Sequence, residues 1–152
     1  MGNSIKIRNK VNRVFYNLIK KVLFKVDPEK VHDSFTKIGH LLGSNFITQN
    51  LTKLLFYYKN KKLEQTIHGI KFTNPIGLAA GFDKEAELTQ IMPNLGFGFE
   101  EIGSITTLPY GGNPKPRLIR LKDSKGLIVN YGLKSSGAEY VAKKLKKLKF
   151  KI

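Results

Sequence analysis

The chain has 152 residues, 41% of them apolar, and it contains no cysteine. Its length suits one ordinary domain, and its apolar fraction argues against wholesale disorder. The lack of cysteine excludes a disulfide scaffold, a thiolate metal site and a cysteine nucleophile, and no other metal site is expected. Lys and Arg number 27 against 11 Asp and Glu, so the formal net charge is +16.

The positive charge is concentrated toward the N-terminus. Residues 1–62 carry 13 basic and 3 acidic side chains, whereas residues 63–152 carry 14 and 8. The N-terminal part is therefore the candidate for contact with a polyanionic surface, either anionic lipid or nucleic acid. The alternative is a lysine-rich composition that only keeps the surface solvated. No stretch approaches the roughly 18–20 apolar residues that span a bilayer. No signal peptide is evident either, so the protein is expected to stay inside the cell.

Residues 1–62 are predicted to form a small, basic, all-helical domain. One helical face of residues 11–26 carries Val11, Val14, Phe15, Leu18, Val22 and Val26. Asp27 is a suitable N-cap for a second helix, Pro28 is tolerated at its first position, and Gly43 is expected to end it. The apolar positions of this second helix are Val31, Phe35, Ile38 and Leu42, and residues 46–58 continue the pattern in a third helix.

From residue 63 onward the helical period gives way to short strand-like runs. Residues 66–72 predict a hairpin that turns at His68 and Gly69, and residues 75–81 predict a strand buried on both faces. The elements predicted next are a helix over 84–96, a second strand over 97–107, a loop-rich passage over 108–137, a helix over about 135–149 and the start of a third strand at 150–152.

This order of elements is typical of parallel α/β architecture. Two parallel strands leave sheet edges and apolar faces uncovered, so the sheet is expected to be completed by residues that this chain lacks. The fold class is therefore predicted as α/β, with a helical domain over residues 1–62 and the front part of a longer barrel or sheet over residues 63–152.

The end of the first predicted parallel strand carries the strongest chemical signal. In α/β folds, ligands bind at the carboxyl ends of parallel strands. Ala79, Ala80 and Gly81 leave room for a flat ligand against the backbone, and their N–H groups are expected to reach ligand oxygens. Lys84 adds positive charge for an anionic partner, with Asp83 to orient it. The alternative is a tight strand-to-helix turn that Asp83 caps, with Lys84 merely exposed.

Four stretches carry a resemblance to a known family. They are "KVDPEKVHDSF", "NPIGLAAGFDK", "GFGFEEIGSITTLPYGGNPKPRLIRL" and "GLIVNYGLKSSG". In this order and spacing they resemble the membrane-associated, quinone-linked (class 2) dihydroorotate dehydrogenases, over roughly residues 15–150. The resemblance implies an N-terminal helical domain followed by the first strands and helices of an incomplete (β/α)8 TIM-type barrel.

The resemblance also implies a flavin site. The residues that match the family's contacts with flavin mononucleotide (FMN) are Ala80, Gly81, Phe82, Asp83, Lys84 and Ser104. Lys84 matches a lysine that also contacts the dihydroorotate carboxylate. Ser104 stands where the family usually has threonine, and the hydroxyl group is kept.

Two further positions match residues near the family's quinone tunnel. Arg120 corresponds to an arginine at the inner end of the tunnel, and His32 corresponds to a histidine of the helical extension. Each also has a simpler interpretation, since Arg120 fits a surface residue at a strand edge and His32 fits an ordinary histidine on a helix face.

The substrate loop departs from the family's pattern. The resemblance assigns substrate contacts to Asn130, Tyr131, Gly132 and Leu133. The family usually places an asparagine where Val129 stands, and an arginine where Asn130 stands. Valine cannot hydrogen-bond a pyrimidine ring, and an unpaired buried polar group costs about 1–3 kcal/mol. Either Asn130 shifts to compensate for the missing asparagine, or dihydroorotate binds with different contacts in detail.

The resemblance implies the oxidation of dihydroorotate to orotate in pyrimidine synthesis, with FMN and a membrane quinone, at the cytoplasmic face of the cell membrane. The family's catalytic base, a serine, lies downstream of residue 152, so this chain is expected to hold only the front wall of the site and to be inactive alone. The expected partners are dihydroorotate or orotate, a quinone and an anionic membrane surface, and not nucleic acid. Another FMN barrel oxidoreductase and a basic nucleic-acid-binding module remain the alternatives.

Overall fold

The computed structural model describes residues 3–148. Its α-helices are α1 (Asn3–Leu23), α2 (Pro28–Gly43), α3 (Phe46–Phe56), α4 (Met92–Leu95) and α5 (Ala138–Leu145), with a 3-10 turn at Lys61–Leu63. Its strands are β1 (Gln65–Ile67), β2 (Ile70–Phe72), β3 (Gly77–Leu78), β4 (Phe99–Glu100), β5 (Leu118–Leu121) and β6 (Gly126–Val129). Within the described range, no helix is both long and apolar enough to cross a membrane.

The three N-terminal helices are confirmed, and side-chain caps explain where two of them begin. The Asp27 carboxylate accepts a hydrogen bond from the Lys30 backbone N–H at 3.0 Å, with Pro28 in the first turn of α2. The Asn45 side chain caps α3 through the Thr48 N–H, also at 3.0 Å. Helix α1 begins earlier than the apolar pattern indicates and ends at Leu23.

Helix α2 approaches the rest of the fold most closely at two glycines, with Leu42 packed against the buried cluster beside them. A Cβ added at Gly39 would collide with the Leu88 side chain, and one at Gly43 would lie 3.2 Å from the Gln90 Cβ. Other large apolar residues are exposed: Phe15 in α1 is 63% exposed and Leu41 in α2 is 65% exposed. The apolar faces of these helices therefore remain open to the surroundings.

The region that begins at residue 63 follows the predicted strand order in its first part. Strands β1 and β2 form an antiparallel hairpin, in which His68 and Gly69 both have positive φ, as a two-residue primed turn requires. Strands β3 and β4 pair in parallel, with Gly77 opposite Phe99. The fold is thus mixed helix and strand, and no closed barrel is present among residues 3–148.

The helix predicted over residues 84–96 is wrong for most of its length. Only Met92–Leu95 is helical, because Asp83 and Ala86 direct the preceding chain into turns. The Asp83 carboxylate accepts hydrogen bonds from the N–H groups of Glu87 at 2.9 Å and Leu88 at 2.7 Å. Ala86 has a φ of 55°, which no α-helix accommodates.

Several boundaries also differ from the sequence-based prediction. The passage over 108–137, predicted to be rich in loops, contains an antiparallel hairpin, β5–β6. The second predicted strand is reduced to Phe99–Glu100, and β3 is half-buried instead of buried on both faces. Helix α5 is shorter than predicted, and the third strand predicted at 150–152 lies outside the described residues.

The buried apolar cluster is small for a chain of this size. Leu88, Ile91 and Met92 form its centre, with Leu42, Leu78, Leu95 and Phe97 packed around it.

Residues 1–152 expressed by themselves are therefore expected to self-associate and to unfold without a sharp transition, because large apolar side chains remain exposed. Size-exclusion chromatography with thermal unfolding checks this, and a monomer with one sharp transition would contradict it.

Candidate functional site

A cavity of about 610 Å³ lies between helices α1 and α2, the turn that follows β3, and the β5–β6 hairpin. Its walls contain eight of the residues singled out from the sequence: His32, Gly81, Phe82, Lys84, Ser104, Arg120, Tyr131 and Leu133. Apolar side chains of the helices complete the wall, among them Leu23, Val31 and Phe35. Residues from distant parts of the sequence thus line the same open cavity.

The other predicted site residues lie beside the cavity or behind its wall. Ala80 is exposed and precedes the wall residue Gly81. Asp83 is 1% exposed, and its carboxylate holds the backbone of the turn. Asn130 accepts a hydrogen bond from the Asn113 side chain at 2.8 Å, and Gly132 packs against Asn113 so closely that a Cβ would lie 2.6 Å from it. These residues therefore shape the turn and the loop.

Lys84 is half-buried, so the interpretation of Lys84 as merely exposed is wrong. Its ammonium Nζ lies 2.9 Å from the centroid of the Tyr131 ring. Burial, followed by the positive charges of Lys134 and Arg117, lowers the pKa of Lys84 from 10.5 to about 8. At neutral pH the group is thus mostly charged, but it is less stable as a cation than an ordinary lysine. An anionic ligand would relieve that cost.

Glu29 and Arg117 form a buried ion pair next to Tyr131. Glu29 is 3% exposed and Arg117 is 6% exposed. The Arg117 Nη2 and Nε donate to Glu29 Oε1 at 2.7 and 3.2 Å, and Lys115 Nζ lies 3.2 Å from the same oxygen. Hydrogen bonding to Arg117 is the main reason that the pKa of Glu29 falls to about 2. This pair joins the first turn of α2 to the start of the β5–β6 hairpin.

Sequence reasoning missed the Glu29–Arg117 pair, although Arg117 lies in a quoted motif. The partners are 88 positions apart, so no local pattern links them. The sequence offered only a weak signal that Glu29 has a distant partner. Glu29 is one of 3 acidic residues among the first 62, but the nearby Asp27 already caps the helix, so no unmet need at the helix end pointed to Glu29.

His32 supports the turn after β3 from helix α2. Its Nε2 lies 2.7 Å from the Phe82 carbonyl oxygen, so this nitrogen carries the proton that it donates. The rings of His32 and Phe82 meet edge to face at 5.0 Å, and Nδ1 lies 3.3 Å from Asp33. The interpretation of His32 as an ordinary histidine on a helix face therefore does not describe it.

Arg120 projects from β5 toward the end of α1. Its Nη1 donates to the Val26 carbonyl at 2.5 Å, and its guanidinium lies 4.9 Å from the Phe24 ring centroid. The side chain also lines the cavity. Arg120 is thus a half-buried residue that joins the hairpin to the helical region, and a simple surface role does not account for it.

The turn after β3 has room for a flat group. Gly81 has a φ of 103°, and a Cβ built there would meet nothing within 4 Å. Ala79 and Ala80 are exposed, as is Ser104, whose hydroxyl lies on the neighbouring segment. The Gly81 N–H donates to the Gly103 carbonyl at 2.8 Å, so the prediction that it reaches a ligand is wrong. The open backbone surface and the exposed serine nonetheless fit an isoalloxazine ring.

Comparison with curated proteins identifies relatives over most of the chain. One from Mannheimia succiniciproducens, named dihydroorotate dehydrogenase (quinone), is 39% identical over 137 residues, which are 90% of this chain and 40% of the relative. One of the same name from Buchnera aphidicola subsp. Schizaphis graminum is 42% identical over 139 residues, 91% of this chain and 40% of the relative. The chain thus spans about 40% of the length of these relatives.

The solved structures and the family model agree with these relatives. A crystal structure of DHODH from Eimeria tenella in complex with ferulenol matches with a TM-score of 0.65 and 38% identity, over 80% of this chain and 30% of that one. The family model for dihydroorotate dehydrogenase matches residues 62–151. Because that match covers more than half of the sequence, the chain belongs to the dihydroorotate dehydrogenase family.

Proposed function

We propose that this chain forms the front wall of the flavin and substrate site of a dihydroorotate dehydrogenase. The enzyme oxidises dihydroorotate to orotate in de novo pyrimidine synthesis and passes the electrons to a membrane quinone. The observation that carries the proposal is the single cavity that brings Lys84, Ser104, Phe82, His32 and Arg120 together. Family membership supports this assignment over a different FMN oxidoreductase and over a nucleic-acid-binding module.

FMN would lie against the turn of Ala80, Gly81 and Phe82, with the Ser104 hydroxyl beside it. When bound, FMN supplies the acceptor for the substrate hydride. This chain's own residues keep the surface flat and hold the turn, chiefly through the Asp83 carboxylate. The chain's contribution is therefore a preorganised wall for the ring.

Lys84 would bind the carboxylate of dihydroorotate or orotate, because it is a half-buried ammonium on the wall of the cavity that Ser104 also lines. Leu133 would contact the substrate from the loop, and the buried Tyr131 would act through the Lys84 ammonium that lies on its ring. Asn130 and Gly132 would set the loop's path, since the Asn130 side chain already pairs with Asn113. In this arrangement the "VNYGLKS" loop, whose sequence differs from the family's, lines the substrate site without the family's usual asparagine.

The quinone would enter between α1 and α2 and reach the flavin past Arg120 and His32. The cavity wall on this side is apolar, with Leu23, Phe24 and Phe35 facing it. The exposed apolar faces of the helices would rest in the interfacial region of the bilayer, and the flanking lysines would face anionic headgroups. The domain of residues 1–62 is thus the proposed membrane and quinone-access unit, at the cytoplasmic face.

Binding to anionic vesicles is expected to weaken as salt is added, because the Debye length shrinks to about 8 Å at physiological ionic strength. Vesicle sedimentation with phosphatidylglycerol lipids measures this, with phosphatidylcholine vesicles as the uncharged control. Replacing Lys20, Lys21 and Lys25 with glutamine should lower the binding, whereas the same change at Lys143, Lys146 and Lys147 should matter less. Vesicle binding that changes neither with salt nor with the lysine substitutions would rule out electrostatic docking.

Orotate affinity is expected to fall as pH rises through about 8, because the pKa of Lys84 lies there and only its protonated form attracts the carboxylate. Bound orotate would raise that pKa, so the fall should begin near pH 8 and continue up to the higher pKa of the complex. Calorimetric titration across this range tests the prediction. In Lys84→Met the fall should vanish, and its persistence there would assign the pH dependence to another group.

The proposed function itself is tested on a purified protein that carries this chain extended to the full length of its relatives, called the full-length protein below. We expect flavin absorbance after purification, and quinone reduction that depends on added dihydroorotate. Flavin without dihydroorotate-dependent turnover would favour another FMN oxidoreductase. A colourless protein that binds nucleic acid would favour the basic binding module.

A further inference from the structure

The cation proposed to bind substrate, Lys84, lies against an aromatic ring. Lys84 Nζ lies 2.9 Å from the Tyr131 ring centroid, and the Arg117 guanidinium lies 4.3 Å from the same centroid. Tyr131 is 9% exposed, so its ring has little freedom to move. A lysine on a four-carbon stem has many rotamers, and contact with a fixed ring selects among them.

The ring is in turn fixed from helix α2. The Arg117 guanidinium lies 4.3 Å from the centroid of the Tyr131 ring, and burial together with the nearby Glu29 carboxylate raises the pKa of the phenol. Arg117 is itself held by Glu29, at 2.7 Å, and Lys115 lies 3.2 Å from the same carboxylate. A continuous chain of contacts therefore runs from Glu29 in the first turn of α2 through Arg117 and Tyr131 to Lys84.

We propose that Glu29 and Tyr131 are positioning residues that set where Lys84 meets the substrate carboxylate. Through them, the seating of the N-terminal helical domain on the β5–β6 hairpin governs substrate affinity. The same helix also supports Phe82 through His32, so α2 braces both the turn after β3 and the substrate cation. This inference rests on the proposed function, because it takes Lys84 as the group that binds the carboxylate.

The test is a double-mutant cycle that measures orotate affinity by calorimetry in the full-length protein. Tyr131→Leu removes the ring that Lys84 and Arg117 contact, and Glu29→Gln removes the charge that anchors Arg117. Each change is expected to weaken orotate binding about fivefold, on the scale of one cation–π contact. In the Lys84→Ala background the same changes should alter affinity by less than about twofold, because the group that they position is gone.

The matched controls are Tyr140→Leu on the exposed face of α5 and Glu139→Gln beside it, which should leave orotate affinity unchanged. Should Glu29→Gln fail to fold, the affinities of Tyr131→Leu in the two backgrounds decide between the outcomes. If these changes weaken orotate affinity equally in the wild-type and Lys84→Ala backgrounds, the inference is overturned while the proposed function stands. A wild-type protein that does not bind orotate would overturn both.

Discussion

Replacing Arg117 with leucine is expected to destabilise the fold by about 3–5 kcal/mol, the typical loss when one partner of a buried ion pair is removed. The carboxylate of Glu29, 3% exposed, would then lack its main partner, and its ion pair with the exposed Lys115 would remain. Arg117 also donates to the carbonyls of Gly111 at 2.8 Å and Asn113 at 3.0 Å, so the loop that these residues form would lose its anchor.

Urea denaturation of the full-length protein measures this loss. Lys143→Leu is the matched control, because Lys143 pairs with Glu139 on the exposed face of α5, and such pairs contribute about 0–1 kcal/mol. The Glu29→Leu/Arg117→Leu double variant should lose less stability than Arg117→Leu, because no buried charge is left unpaired. If Arg117→Leu behaves like Lys143→Leu, the buried pair does not hold the helical domain in place.

The pH dependence of stability gives an independent check on Glu29. Its folded-state pKa of about 2 is below the ordinary value of 4.5, so it contributes stability that is present above pH 4.5 and is lost as pH falls toward 2. This contribution should disappear in Glu29→Gln.

Replacing Lys84 with alanine is expected to remove a charge-assisted contact worth about 1.5–3 kcal/mol of substrate binding. The fold should survive, because Asp83 holds the turn through backbone groups that this change leaves in place. Lys84→Arg should restore activity only in part, since the larger guanidinium would not fit the half-buried place of the compact ammonium, beside a ring that the Arg117 guanidinium already contacts.

Flavin content and the kcat/KM of dihydroorotate-dependent quinone reduction measure the effect of Lys84→Ala. A surface lysine such as Lys122 serves as the control, with an expected change within about 0.5 kcal/mol. If Lys84→Ala matches that control, Lys84 is a structural residue of the turn and the carboxylate binds elsewhere.

Local signals in the sequence predicted the parts of the fold that local contacts determine. The cap at Asp27 and the turn at His68–Gly69 depend on side chains and φ values within a few residues, and the structure confirms both. The segment after Asp83 did not follow its helical pattern. There one carboxylate accepts hydrogen bonds from three backbone N–H groups, which outweighs helix propensity.

The candidate site was predictable only where a motif was contiguous. The stretch from Ala80 to Lys84 was recognisable as a family segment, and the cavity places Gly81, Phe82 and Lys84 on one wall. The contacts that hold Lys84 join three segments far apart in sequence, those of Glu29, of Lys84 itself and of the hairpin flanked by Arg117 and Tyr131. Such contacts arise only when the chain folds, so no periodicity or composition could indicate them.

The most direct test of the proposed function is the anaerobic addition of dihydroorotate to the purified full-length protein while its visible flavin absorbance is recorded. The proposal predicts that the absorbance bleaches as the flavin is reduced and returns when a quinone is added. In Lys84→Ala the bleaching should need much more dihydroorotate. A protein without flavin absorbance, or a flavin that dihydroorotate does not bleach, would contradict the proposal.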